Sequence, residues 1–191
     1  MLGSTRPGRG NAAGSLYICG VKLKDGIDIK DITFADDSKK ISKKNHKEMA
    51  RRLKELVDFH IIEIYPQYID DNGISDAMYY SLINIKNKFS GCDIIFDGKA
   101  DYKTGIKMFV KGDSRSSLIA AASIIAKDIK DDQMLVESEK YPEYNFDCNS
   151  GYLTKHHTES IKKYGYTPIH RRSFKIKALE CLEIKEYSSK I

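Results

Sequence analysis

The run SSLIAAASIIAKDIKDDQMLVESEKY, residues 116–141, constrains the fold more than any other stretch. It is small and apolar at its start and charged later, so it reads as one long helix whose first half enters the core. The strands such a helix would lie on are legible around it. SLYICGVKL (15–23) is rich in strand formers and apolar on both faces, and reads as a buried strand. HIIEIYP (60–66) is a short strand stopped by Pro66. CDIIFDG (92–98) ends at Asp97-Gly98, and IKMFVKGD (106–113) ends at Gly112-Asp113. Helical spacing occupies the gaps: Met49, Leu53, Leu56 and Val57 within 42–59, and Ile74, Met78, Leu82, Ile85 and Phe89 within 74–89. KDGIDIKD (24–31) reads as a turn, 151–165 as a loop and helix, and 173–189 as a final helix. Strands and helices alternate, which predicts an α/β fold with a central mixed β-sheet flanked by helices.

A chain of 191 residues suits one domain, and 41% hydrophobic residues are enough for a real core. The net charge of +5 is modest and permits an anionic partner without requiring one. Its basic clusters (DDSKKISKKNHK, IKNK, HRRSFKIK) are equally compatible with a solvated surface. The four cysteines, Cys19, Cys92, Cys148 and Cys181, are far apart and form no C-x-x-C, so free thiols are expected rather than disulfides or a zinc site. No apolar run is long enough to span a membrane and no signal peptide is visible, so a cytoplasmic location without membrane partners is expected.

In open α/β sheets ligands gather at strand ends. Asp97 and Asp113 both follow predicted strands, and two such carboxylates can converge on Mg²⁺ or Mn²⁺. Taken singly, Asp97-Gly98 is also an ordinary turn, and Asp113 an ordinary cap for the helix near Ser116. Gly8-Arg9-Gly10 lets backbone approach a ligand or simply turns. Ser38, Lys39 and Lys40 offer a hydroxyl and two amines to phosphate, or to solvent. Tyr152, Lys155, His170, Arg171 and Arg172 combine aromatic and basic groups suited to stacking on sugars or bases while neutralising phosphates. His156 and His157 are adjacent and point apart in a helix, which argues against a metal site there.

The ordered set says more than its parts. GRGNAAGSLYICGVKL, DDSKKIS, IIFDG, FVKGDSRSSLIAAASIIAKDIKDDQM and GYLTKHHTESIKKYGYTPIHRRSF follow one another with fitting gaps, and together they resemble the bacterial ribonuclease HII family over nearly the whole chain. The resemblance implies an RNase H-like fold, with residues 1–140 as the catalytic core. Residues 141–191 would form a C-terminal helical segment that completes the substrate groove within a single structural domain. It implies an endonuclease that cuts the RNA strand of RNA–DNA hybrids and cuts 5′ of ribonucleotides embedded in duplex DNA. The reaction would use two Mg²⁺ or Mn²⁺ ions and no protein nucleophile. Nothing in the sequence marks an oligomer interface, and a monomer is expected.

Carried across by position, Asp97 and Asp113 look like metal ligands and Asp131 like a supporting acid. Gly8, Arg9 and Gly10 look like the loop that reads the ribose 2′-OH, the group that separates RNA from DNA. Tyr152 looks like the ring that packs on the sugar beside the junction, and Ser38, Lys39, Lys40 and Arg171 like further substrate contacts. Ala120, Ala121, Ala122 and Ser123 would let the long helix lie tight on the sheet.

One motif departs from the pattern. The family reads D-E-x-G-R-G, whereas this chain reads Thr5-Arg6-Pro7-Gly8-Arg9-Gly10. Half of the metal-binding acids are therefore missing, and a positive charge stands where a negative one is needed. The expectation is a chain that cleaves poorly or not at all, with a catalytically silent RNA–DNA hybrid-binding protein as the alternative reading.

Overall fold

In the computed structural model, residues 2–5, 9–40, 43–98, 100–109, 116–179 and 183–187 are described, with backbone alone for 2–5, 37–40, 43–44 and 108–109. Among the described residues, five strands form one sheet: β1 (Leu2–Thr5), β2 (Leu16–Leu23), β3 (Val57–Ile64), β4 (Ile94–Asp97) and β5 (Lys107–Phe109). Their order is β3-β2-β1-β4-β5. β2 runs antiparallel to both β1 and β3, whereas β4 runs parallel to both β1 and β5. This is the mixed sheet that the alternation of elements predicts. The helices are α1 (Lys43–Leu56), α2 (Pro66–Lys88), α3 (Ser117–Lys140), α4 (Phe146–Asn149) and α5 (Lys155–Tyr164). A run of 3₁₀ turns over Ile29–Lys40 replaces the expected turn and loop.

β2 shows why the sheet is buried on both faces. Tyr17, Cys19 and Val21 point into a cluster with Leu53 and the first half of α3. Leu16 and Ile18 point into a second cluster with Met78, Leu82 and Ile85 of α2. The side-chain period of two thus separates two half-cores, and an apolar run without polar interruptions is what such a strand requires. In α3, Leu118, Ile119, Ala120, Ala121, Ala122, Ile124, Ile125 and Ala126 are all buried, so the helix start is apolar all round. Each fully buried Leu or Ile there contributes roughly 2 kcal/mol. A third cluster joins Ala12, Ala13 and Met134 to Tyr144, Phe146, Ile161, Ile176 and Leu179, and so fastens the C-terminal residues to the N-terminal loop.

Several boundaries differ from the sequence expectation. Val57 belongs to β3, where it pairs with Leu23, and not to the helical stripe. The β-branched and aromatic run Val57–Ile64 finds a partner along the whole of β2, and that pairing overrides the helical spacing. Pro66 does not merely stop a strand. It opens α2, in the first turn, where a missing N–H costs nothing. α2 therefore gains a first segment, 66–72, that the sequence did not announce; at Gly73 (φ 81°, ψ 161°) the backbone is non-helical and kinks, and the expected helix from residue 74 follows. The expected final helix over 173–189 is absent from its described part, which forms only a 3₁₀ turn at Lys177–Leu179. Beyond it the chain lies beside Tyr166, with Tyr166 N–H on Lys185 O at 2.9 Å and Tyr187 N–H on Tyr166 O at 2.8 Å. Backbone pairing with a distant segment takes the hydrogen bonds a helix would have used.

Candidate active site

β1 and β4 run side by side with Ser4 opposite Phe96, so they end together, at Thr5 and Asp97. β1 is the central strand of the sheet and β4 its neighbour. The residue at position 5 is therefore delivered beside Asp97 by backbone register alone. Asp97 is half-buried and pairs across to Phe109 at the end of β5. Asp113, Arg6, Pro7 and Gly8 lie outside the described residues.

Past β1 the chain turns at the exposed Arg9-Gly10 and then dives inward. Asn11, Ala12 and Ala13 are buried between two other loops. On one side the Gly151 carbonyl accepts from Ala12 N–H (2.9 Å) and Ala13 N–H (3.2 Å), and Asn11 Nδ2 donates to Ser150 O (2.6 Å). On the other, Gly14 N–H donates to Ile169 O (2.8 Å) and Arg171 N–H to Ala12 O (2.9 Å). The segment that follows Arg9-Gly10 is thereby sewn to the GY and HRR motifs, far away in sequence. Gly151 has φ +81°, and a Cβ there would sit 2.2 Å from the Ala13 carbonyl oxygen. Gly151→Ala is expected to lower the unfolding free energy by about 2–4 kcal/mol, from left-handed strain plus backbone overlap. Urea denaturation checks this, and an unchanged midpoint would show that the two loops separate freely.

Arg171, expected at the substrate, is 1% exposed. Its Nε and Nη2 donate to Gly14 O at 3.0 and 2.7 Å, and Nη1 donates to Arg9 O at 3.2 Å. It acts on the loop from behind. Burial lowers its pKa to about 10, which leaves it charged at neutral pH. Arg172, by contrast, faces outward and pairs with Glu186 at 2.5 Å.

Tyr152 is half-exposed and stands over the amine of Lys130, whose Nζ lies 4.8 Å from the ring centroid. Burial holds the Lys130 pKa down, to about 8. Lys130 has no distinctive sequence signal: only its place, one residue before Asp131, could have drawn attention to it. Asp131 accepts from Ser150 Oγ at 3.2 Å and pairs with Lys127, so it steadies the loop that carries Gly151 and Tyr152. The backbone of Ser38, Lys39 and Lys40 ends the 3₁₀ run, and Ser117 Oγ on Asp36 (3.1 Å) moors that segment to the start of α3.

His157 and His170, distant in sequence, meet with their Nε2 atoms 3.0 Å apart, and both are buried. Burial pushes both pKa values down, with the neighbouring ring adding to the effect on His170, which falls to about 3. A histidine whose folded pKa is depressed contributes stability that is present above its unfolded pKa near 6.5 and is lost as pH falls towards the folded value. Unfolding free energy should therefore drop as pH falls from roughly 6.5 towards the His170 value of about 3, by up to ~1.4 kcal/mol per pH unit for that histidine, with His157 acting in the same direction. His170→Gln should flatten that slope in denaturation curves taken across the range.

Among the described residues, no group of three or more His, Cys, Asp or Glu side chains converges to hold a metal ion. Nor is any helix among them long and apolar enough to cross a membrane. Cys19 is buried, with its thiol pKa pushed up to about 12, so it is inert.

A mixed sheet of this order, helices on both faces and an acid at the end of β4 define an RNase H-like α/β protein. The solved fold of ribonuclease HII in the PCNA:RNase HII complex from Archaeoglobus fulgidus matches with TM-score 0.79 at 21% identity, over 92% of this chain and 95% of that one. Bst-RNase HIII, solved in complex with Mn²⁺, matches with TM-score 0.64 at 17% identity, over 86% of this chain and 62% of that one. In sequence, ribonuclease HII of Sulfurovum sp. strain NBC37-1 is 37% identical over 181 residues, 94% of each chain. The family model for ribonuclease HII matches residues 2–177, and the chain belongs to that family of hydrolases.

Proposed function

We propose that this chain recognises RNA–DNA hybrids, and ribonucleotides embedded in duplex DNA, through the family's groove, and that as written it hydrolyses them far more slowly than its relatives. The single observation that carries this reading is the β1–β4 register, which sets Thr5 at the strand end beside Asp97, where the family has an aspartate. The family's chemistry, endonucleolytic phosphodiester hydrolysis with two Mg²⁺ or Mn²⁺ ions, needs acids at positions 5 and 6 as well as Asp97 and Asp113. With Thr5 and Arg6 the donor set does not fit two divalent ions. The Mn²⁺ complex of the fold relative supports divalent metal as the family's usual partner.

The substrate side of the site is retained. Arg9 and Gly10 are exposed at a turn whose following residues are clamped on two sides, which suits close approach of backbone to a 2′-OH. Tyr152 presents a half-exposed ring for the sugar, with the Lys130 charge behind it. Ser38, Lys39 and Lys40 supply phosphate contacts, and the residues after Tyr141 complete the groove. Asp131 and Arg171 act by holding these loops.

The test measures two quantities on one preparation: binding of a labelled RNA–DNA hybrid in EDTA, and its cleavage in Mg²⁺ or Mn²⁺. Hybrid binding tighter than DNA-duplex binding, with little cleavage, is the expected result. Cleavage at a rate typical of the relatives overturns the reading.

A further inference from the structure

We propose that His157 and His170 are positioning residues for Tyr152. A one-way hydrogen-bond relay from the Thr167 amide through both imidazoles holds the Tyr152 carbonyl, and so aims its ring at the substrate. The proposal rests on the reading of Tyr152 as the sugar-side ring.

The direction of the relay follows from its first donor. Thr167 N–H donates to His170 Nδ1 at 2.9 Å, so the proton of a neutral His170 sits on Nε2. That Nε2–H faces His157 Nε2 at 3.0 Å, which must then accept. His157 is left with its proton on Nδ1, 2.9 Å from the Tyr152 carbonyl oxygen. Protonating either ring sets two N–H groups head to head and breaks the chain. The groups facing the pair oppose that charge or are neutral: Arg172 adds positive charge on the His170 side and the His156 imidazole lies on the His157 side, while Tyr144, Phe146 and Tyr166 wall the pair with rings.

Tyr152 needs such a hold. The residue is 52% exposed and stands on a loop, and the Lys130 amine lies over one face of its ring. Thr154 N–H (3.0 Å) also reaches its carbonyl, and Thr154 in turn caps α5 by accepting from His157 N–H at 3.1 Å. The relay's far end matters more. The turn that contains Thr167 and His170 continues directly into Arg171, which grips Gly14 and Arg9. One short segment therefore braces both proposed 2′-OH sensors, the Arg9-Gly10 turn and Tyr152, in a common frame.

The experiment uses the full chain in EDTA and compares its dissociation constants for a DNA duplex with one ribonucleotide and for the same duplex in all-DNA form. His157→Leu is expected to reduce this selectivity about fivefold, the value of one lost hydrogen bond of ~1 kcal/mol, approaching Tyr152→Ala. His157→Asn, whose amide nitrogen overlays Nδ1, should keep most of it. Selectivity lost in Tyr152→Ala but retained in a folded His157→Leu overturns the relay and leaves the reading of Tyr152 intact. Selectivity retained in Tyr152→Ala overturns that reading, and the proposal with it. A second measurement needs no variant to fold: long-range ¹H–¹⁵N spectra of the unmutated protein should show His157 protonated on Nδ1 and His170 on Nε2. The opposite tautomer on either ring, or a charged ring at neutral pH, overturns the relay whatever the binding data say.

Discussion

Thr5→Asp combined with Arg6→Glu is expected to raise hybrid cleavage by about three orders of magnitude or more over the chain as it stands. One unit charge about 4 Å from another is worth roughly 4 kcal/mol at an effective dielectric near 20. At ~1.4 kcal/mol per decade, that single interaction accounts for ~10³ in rate. The double change does more than remove a repulsion: it replaces a cation with an anion and adds a second carboxylate at the end of β1, next to Asp97. Hybrid affinity in EDTA should change far less, because the Arg9-Gly10 turn and Tyr152 are untouched. Steady-state cleavage in Mg²⁺ and in Mn²⁺ measures the effect, and equal turnover by the two proteins would sink the argument. The replaced residues have a second peculiarity. Codons GGx ATC GAC GAG GCC for Gly-Ile-Asp-Glu-Ala, read after loss of the last base of the glycine codon, give GGA TCG ACG AGG CC, and one base regained before Gly8 completes CCG and restores the frame, so that the codons encode the Gly-Ser-Thr-Arg-Pro found at positions 3–7. Sequencing the gene from its source establishes whether Gly3–Pro7 is a shifted frame or the native motif.

Arg171→Met should lower stability by about 2–4 kcal/mol and weaken hybrid binding with it. Methionine fills much of the volume but leaves the buried Gly14 carbonyl without the two donors it now has, and the Arg9 carbonyl without one. A buried acceptor stripped of its partner costs about 1–3 kcal/mol. Contact with the Phe174 ring, 5.3 Å from the guanidinium carbon, is lost as well. Lysine is no remedy, since a single ammonium cannot span the two carbonyls as the planar guanidinium does. The loop damage should appear in binding as a smaller preference for ribonucleotide-containing duplex. Urea denaturation and the EDTA binding assay read the two effects separately. A midpoint unchanged in Arg171→Met would mean that the loop is held by the backbone bonds to Gly151 and Ile169 alone.

By itself the sequence determined the α/β class, the buried strand β2, the strand ending at Asp97, the long apolar-started α3 and the loop and helix of α5. Each is set by a local period of two or 3.6, or by turn residues at its edge, and burial enforces those periods wherever the element ends up. The order of motifs was enough to identify the family. Tertiary structure decided where β3 begins, because pairing with β2 outweighs the helical spacing at Val57. It likewise kept the residues described after Leu179 out of a helix, since their backbone groups bond Tyr166 instead. It also reassigned the polar residues. Arg171 read as a surface contact and is a buried brace whose partners lie 157 and 162 positions away. His157 read as half of an uninformative pair and is one half of a buried relay with His170. Buried polar groups leave no periodic trace in sequence, because what makes burial tolerable is a partner brought close by the fold and not a neighbour along the chain.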